Sequence, residues 1–457
     1  MLLGRDAELR QLNQYYMREG SDIVVLYGQK GIGKTSLVRE FTKDKNFFYY
    51  RAVSCCEREQ IALLYSRINE MYAAGESVND YETIFSKLCQ RGIGKKVIII
   101  DEFQNMMKTG STFFHSLYQF QTNKQNPPFL AILCSSSVCF VENNMIKKMG
   151  EAAHGLSGLM KLRKLRLSDL RKLFPAYDGT QILTMYAVLD GIPGLWKHMD
   201  AKLSAKENLL MHVLDPDGFI VEEACRDLKE ELRETSVYNT ILSALAQGIN
   251  TLNELYLHTG FSRAKISVYL KSLMELELVE KVFSYDTKGH ANTRKGMYRI
   301  KNHAACFYYR FLYPHRSDAE MLPREVYYEK YVEKELKSFV DEYFKEICRE
   351  YLEEENKKGK LPVACGRIGE WVGKKGSLDI VAGDENGNML IGTCIYKKPF
   401  VTYEDYERLL DVALQAKVDY RYIYMFGIGR FDEKLILESK VRKNIRLIPL
   451  GEMLPFE

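Results

Sequence analysis

The sequence predicts an α/β fold whose first third is a parallel-sheet core, followed by a helical segment, a helix-turn-helix with a wing, and a final α/β domain. Three observations carry this. Ile23-Val24-Val25-Leu26-Tyr27, Val97-Ile98-Ile99-Ile100 and Phe129-Leu130-Ala131-Ile132-Leu133-Cys134 are continuous apolar runs of the kind that parallel strands bury on both faces. Residues 236 to 301 then hold three short helical patterns and two strand candidates around a polar, Gly-containing turn. A long amphipathic stretch and further apolar runs close the chain.

The 457 residues suffice for two to four domains, and a hydrophobic content of 46% with 28% charged residues is that of a globular chain. A net charge of +4 says nothing by itself about nucleic acid, so any basic signal must be local. Ten scattered cysteines without a CxxC pair or metal-ligand spacing to histidine read as reduced thiols. Charge enters by residue five and no 18-residue apolar run occurs, so a cytoplasmic protein without membrane partners is expected.

Gly4-Arg5-Asp6-Ala7-Glu8-Leu9, with Leu12, Tyr15 and Tyr16, predicts a turn and an amphipathic helix. The first strand then runs into Gly28-Gln29-Lys30-Gly31-Ile32-Gly33-Lys34-Thr35, a complete GxxxxGK[ST] loop. Glycines there let successive backbone N–H groups turn inward on phosphate oxygens, at the positive end of the following helix. Lys34 is placed to reach β- and γ-phosphates, the Thr35 hydroxyl to hold Mg2+, and Ser36 follows in the first turn. ATP and Mg2+ are the expected cofactors.

Phe47 to Val53 predicts a second strand, and helical patterns occupy about 57 to 91. The run from Val97 ends in Asp101-Glu102, about 65 residues after the loop. Such a strand delivers Asp101 beside Mg2+ at Thr35, and Glu102 one residue later to polarise an attacking water. The strand from Phe129 ends in Ser135-Ser136-Ser137, with Ser136 either a polar γ-phosphate sensor or part of a serine-rich turn.

Residues 161 to 235 are helical and charge-rich, with a helix beginning near Ser168 and an interruption at Asp190-Gly191-Ile192-Pro193-Gly194. The run Lys161 to Arg166 alternates basic residues with leucines, which predicts a strand with a solvated face rather than a nucleic-acid patch. From 236 to 301, Gly260 ends the second helix and Ser262 caps the third. Helix-turn-helix plus hairpin is the winged-helix plan, which puts Arg263, Lys265 and Lys271 on or near the recognition helix and Lys288, His290, Arg294 and Lys295 in the wing. Nine Lys/Arg against five Asp/Glu make the segment mildly basic, leaving double-stranded DNA or a protein as its partner.

An aromatic connector, Phe307-Tyr308-Tyr309-Arg310-Phe311-Leu312-Tyr313, leads to a long helix near Tyr327 to Glu354. Turns at Gly376 and Asn386-Gly387 mark paired strands at Leu378–Ala382 and Met389–Ile395, then a helix at 404 to 417 and a strand at Tyr422–Phe426. The expected domains are a core at 1–160, a helical lid at 161–235, a winged helix at 236–302, a connector at 303–325 and a last domain at 326–457.

Gly4-Arg5, the loop and strand pair ending Asp101-Glu102-Phe103-Gln104, Gly191-Ile192-Pro193 and Glu231-Leu232-Arg233-Glu234 resemble the archaeal-type P-loop ATPases, relatives of the origin-recognition and STAND branches of AAA+. Tyr238, Ile241, Leu242, Tyr269-Leu270 and Leu278-Val279-Glu280 extend the resemblance through the winged helix into a C-terminal DUF234 domain. The resemblance implies an AAA+-like core and a restriction-endonuclease-like last domain of the PD-(D/E)xK type, in which an Asp and a Glu-x-Lys assemble a metal site. Asp379 stands at the Asp position, but Thr393-Cys394-Ile395 replaces Glu-x-Lys and Lys345 takes the place of a helix acid. Glu370 and Lys397 lie nearby in sequence without a settled role. The expectation is therefore an ATP-binding and hydrolysing switch acting on DNA or on a protein held by the C-terminal domain, whose last domain is not a nuclease; an ATP-controlled nuclease and a STAND-type interaction protein are the alternatives.

Overall fold

A computed structural model describes residues 3–72, 78–107, 112–231, 234–285, 296–373 and 376–454. The chain forms two compact units, Met1–Arg166 with Gly191–Lys197, and Leu167–Asp190 with His198–Glu457. Among the described residues, no helix is long and apolar enough to cross a membrane. All ten cysteines are free.

In the first unit, β1 (Asp22–Tyr27), β2 (Phe47–Arg51), β3 (Lys96–Asp101), β4 (Phe129–Ser135) and β5 (Leu156–Lys161) form one sheet in the order β2-β3-β4-β1-β5. Every pairing is parallel. The three apolar runs are the three central strands, buried at every position, because helices cover both faces. Ile23, Val25 and Tyr27 point to the side of α3 (Glu57–Tyr72), α4 (Tyr81–Cys89) and α5 (Phe113–Thr122). Val24 and Leu26 point to α1 (Asp6–Met17) and α2 (Lys34–Phe41), meeting Leu12, Leu37, Val38 and Phe41. Each such fully buried side chain contributes about 1.5–3 kcal/mol of transfer free energy. Because all five strands run the same way, their carboxyl ends share one edge, the edge where open α/β sheets bind ligands.

Two expectations need correction here. Strand β2 ends at Arg51 rather than Val53. The basic run is a strand only at Lys161. Beyond it Leu162 and Leu165 are buried while Lys161, Arg163 and Arg166 are exposed, but the backbone bonds go elsewhere: Leu162 N–H to Tyr27 O (2.8 Å) and Leu165 N–H to Gly191 O (2.7 Å). Strand β5 itself, Leu-Ser-Gly-Leu-Met-Lys, is a partly exposed edge strand and has no apolar run to announce it.

The second unit opens with a short helical turn at Leu167–Arg171 and continues in α6 (Gly179–Leu189), whose cap Asp178 accepts from the N–H groups of Thr180 and Gln181 in a capping box. The helix-turn-helix follows as α7 (Thr235–Ala246), α8 (Leu252–Thr259) and α9 (Arg263–Glu275), with the antiparallel pair β6 (Val279–Val282) and β7 (Met297–Ile300). Gly260 ends α8 at φ +71°, a left-handed backbone that costs glycine nothing, and the Ser262 hydroxyl accepts from Lys265 N–H at 3.2 Å.

The aromatic stretch expected as a connector is interior. Phe307 and Tyr309 are fully buried, Phe311 rests edge-on against Phe339, and His303 is sealed with its Nδ1 3.1 Å from Tyr186 O. Large rings bury too much apolar area to be left in a linker. Helix α10 (Glu333–Lys357) then packs on a mixed sheet of order β14-β12-β10-β9-β8, built from β8 (Arg367–Gly373), β9 (Gly376–Gly383), β10 (Met389–Ile395), β12 (Tyr422–Gly427) and β14 (Ile445–Pro449). Strands β10, β12 and β14 are parallel, and β9 is antiparallel to both neighbours. Helix α11 (Tyr403–Ala416) covers one face through Tyr406, Leu409 and Ala413, and β11 (Phe400–Val401) with β13 (Arg430–Phe431) adds a short ribbon.

Candidate functional site

The carboxyl edge of the first sheet gathers residues from three distant stretches. β1 runs directly into the glycine loop, where Gly28 (φ +152°), Gly31 (φ +80°) and Gly33 (φ +102°) turn the chain onto α2. At Gly28 the constraint is also spatial, since a Cβ there would stand 2.8 Å from Leu162 O. Lys34, the first residue of α2, is only 6% exposed and donates from Nζ to Gly28 O (2.6 Å) and Gln29 O (3.2 Å). Its ammonium is thus folded across the loop that it is expected to serve. Thr35 and Ser36 are exposed in the first turn of α2.

Asp101 ends β3, and both its oxygens are engaged: Glu102 N–H donates to Oδ1 (3.1 Å) and the Tyr49 hydroxyl to Oδ2 (2.7 Å). Burial and the Asp101 carboxylate push the Tyr49 phenol well above its ordinary range, so it stays a donor. Glu102 has φ +53°, a left-handed backbone of the sort that costs a non-glycine residue about 1–3 kcal/mol and clusters at functional sites. Its Oε2 accepts from Ser136 Oγ (2.6 Å), Ser136 N (3.3 Å) and Gln104 Nε2 (2.6 Å). Burial raises the pKa of this carboxyl, but those donors and the Lys34 ammonium outweigh it and hold the group below the usual carboxylate range. The geometry makes Ser136 a partner of the glutamate, a role that neither reading of the strand end had given it.

Whether these residues fit ATP and Mg2+ can be tested on their donors. The Gln29 side-chain nitrogen is buried without a partner beside the loop, a donor whose desolvation an anion would offset. Among the described residues no group of three or more His, Cys, Asp or Glu could hold a metal. One carboxylate and one hydroxyl match the way Mg2+ is held, through one or two protein oxygens, phosphates and water. The set fits.

Several of these residues have a site role that the sequence alone does not assign. Tyr49 carried no signal, because its role depends on β2 lying next to β3. Gln104 was visible two residues beyond Glu102. Arg5, 4% exposed, donates to Ile32 O (3.0 Å) and Arg163 O (2.7 Å), so the N-terminal arginine braces the glycine loop. Gly191–Lys197 also returns to it, with Gly194 N–H donating to Gly31 O at 2.9 Å.

In the winged helix, Arg263, Lys265 and Lys271 are exposed on α9, but each has a local partner. Arg263 donates to Asn253 Oδ1 (2.5 Å) and lies over the Tyr256 ring at 4.0 Å, while Lys271 sits 3.9 Å from Glu275. Lys265 lies over the Phe261 ring at 4.9 Å. Lys288, His290, Arg294 and Lys295 lie outside the described residues, as do Leu232 and Arg233 of the Glu231–Glu234 stretch.

The last domain brings Asp379, Thr393 and Lys345 together. Asp379 of β9 accepts from Thr393 Oγ1 (3.2 Å) and Cys394 N (2.9 Å), and lies 3.2 Å from Lys345 Nζ. Burial pulls the Lys345 pKa down, but Asp379 with Glu342 and Asp341 outweighs it and keeps the ammonium firmly charged. One turn further along α10, Arg349 pairs with Glu370 at 2.9 Å, and Lys397 sits 3.4 Å from Asp341.

Three family models match in sequence order: an ATPase domain predominantly from Archaea over residues 2–197, a bacterial regulatory protein of the arsR family over 239–281, and DUF234, archaeal and bacterial proteins of unknown function, over 308–409. An uncharacterized protein of Methanocaldococcus jannaschii is 26% identical over 396 residues, which are 84% of this chain and 85% of that one. Among solved structures, the Walker-type ATPase of Pyrococcus abyssi is 17% identical with a TM-score of 0.48, over 68% of this chain and 96% of that one. The ORC2 protein of Aeropyrum pernix is 15% identical with a TM-score of 0.43, over 74% and 94%. With its loop, its acid-tipped strand and three matching models in order, the chain combines an archaeal-type ATPase domain, an arsR-like helix-turn-helix and a DUF234 domain.

Proposed function

We propose that this protein is an ATP-hydrolysing switch that couples its nucleotide state to DNA binding through the winged helix, with the C-terminal domain serving as a docking or DNA-holding surface rather than a nuclease. The observation that carries the reading is the convergence of Lys34, Thr35, Asp101, Glu102 and Ser136 on one sheet edge. Mg2+, where bound, would supply charge neutralisation to the phosphates. Lys34 exchanges its two carbonyl acceptors for phosphate oxygens, Thr35 and Asp101 provide oxygens to the metal, and Glu102, ionised at neutral pH, takes the proton of the attacking water. Ser136 holds Glu102 at rest.

Ion pairing of both carboxylates left near the motif, Asp379 and Glu370, supports its inactivity. A Mg2+ site for phosphodiester hydrolysis needs hard anionic oxygens, and here Lys345 neutralises Asp379 while Arg349 neutralises Glu370. A protein partner in place of DNA is the second reading, favoured by Val268, 64% exposed on the outer side of α9.

The test is ATPase activity of the parent protein and of Lys34→Ala, with and without duplex DNA. ATP hydrolysis that depends on Lys34 and changes with DNA is the expected result. A parent protein that neither binds nor hydrolyses ATP overturns the reading, and turnover indifferent to duplex DNA selects the protein partner.

A further inference from the structure

Resting on the assignment of Asp101 to Mg2+, we infer that Tyr49 is a positioning residue for the metal, its hydroxyl fixing the Asp101 carboxylate in the orientation that a nucleotide-bound cation requires.

The geometry comes from strand register. Tyr49 pairs with Ile99 across the parallel β2/β3 ladder, and Asp101 is two residues further along, so the two side chains leave the same face of the sheet. Two residues of strand rise about 6.6 Å, a span that an aromatic ring with a terminal oxygen crosses and shorter polar side chains do not. The ring packs in the cluster containing Leu37, Val38 and Phe41, which puts the hydroxyl on the face covered by α2, the helix that carries Thr35. Phenylalanine would make the same apolar contacts. What tyrosine adds is one hydrogen bond, at 2.7 Å, to the oxygen of Asp101 that the Glu102 N–H does not hold.

With both oxygens tied, the carboxylate cannot rotate about its terminal torsion, which is otherwise broad. A metal then finds the lone pairs already aimed. Groups that orient a metal-ligating carboxylate in this way are worth about 10–100-fold in metal affinity. The hydroxyl touches neither nucleotide nor reacting atoms in this scheme, so its effect passes through Asp101 alone.

The test uses the full chain and Tyr49→Phe. Affinity for a fluorescent ADP analogue in excess EDTA reports the loop, Lys34 and the fold. Mn2+ titrated into each protein saturated with a non-hydrolysable ATP analogue, followed by electron paramagnetic resonance, reports the metal, with Asp101→Asn as the benchmark. The expected result is metal-free nucleotide affinity equal to the parent's and Mn2+ affinity weaker by about 10-fold or more, in the direction of Asp101→Asn. Equal Mn2+ affinity in Tyr49→Phe and the parent overturns the inference, and so does loss of metal-free nucleotide binding, which would make the hydroxyl a folding contact. A parent that binds no nucleotide, or whose Mn2+ affinity is untouched by Asp101→Asn, overturns instead the assignment beneath it.

Discussion

Glu102 is held in a costly backbone conformation by a shell of donors. Ser136 and Gln104 both donate to the same oxygen, and the backbone beneath them is left-handed at φ +53°. A base acts mainly in the transition state, so its removal should separate binding from turnover. Glu102→Gln is expected to keep ATP affinity within a few-fold of the parent while hydrolysis falls by about 10²–10⁴, measured by calorimetry and phosphate release. A mutant of undiminished rate would move the base elsewhere. Asp101 and Glu102 were legible as an acidic strand end, and Lys34 as a loop lysine. Tyr49 was not, because nothing local says which strand will lie beside which.

For α9, the helix boundaries follow from cap chemistry. Ser262 accepts from Lys265 N–H at its start and Gly260 closes the helix before it. Both were readable because capping depends on residues within one turn. The inner face, Ile266, Leu270 and Leu273, is fully buried, which leaves Lys265, Val268 and Lys271 outward. If α9 binds duplex DNA, reversing Arg263 and Lys265 to glutamate should lower affinity and reduce the slope of log affinity against log salt by about 1 for each phosphate deprived of its cation. Fluorescence anisotropy at several salt concentrations checks this, and affinity unchanged by salt and by both reversals would exclude this helix as the DNA surface. The Asn253 and Tyr256 contacts of Arg263 predict the smaller of the two effects at that residue.

At the scale of the molecule, the second unit joins α6, the winged helix and the last sheet into one body. Val372 N–H donates to Ser284 Oγ (3.1 Å), tying β8 to the loop after β6, and Arg367 lies over the Tyr285 ring at 5.2 Å. His303, 3.9 Å from Asp190 and 3.6 Å from Glu346, brings α6 and α10 to the same buried ring. A last domain so embedded, with Asp379 and Glu370 each paired to a cation, is expected to leave linear, circular and single-stranded DNA intact in Mg2+ or Mn2+, with or without ATP. Cleavage by the purified protein that disappears in Asp379→Ala would restore the nuclease reading.

Most of the elements were legible locally. Apolar runs predicted the buried strands β1, β3 and β4, the glycine loop and the acid pair marked the candidate site, and turn chemistry marked the winged helix and the β9–β10 pair, because each of these depends on neighbours a few residues apart. Tertiary structure alone decided what those elements meet. It made β5 a strand through pairing with β1, turned the aromatic connector into a core, returned Gly191–Lys197 to the glycine loop, and set Tyr49 beside Asp101 and Arg349 beside Glu370. The physical reason is one of range: capping, turns and strand periodicity are set by local backbone geometry, whereas strand order and side-chain pairing arise only when distant segments share a buried face.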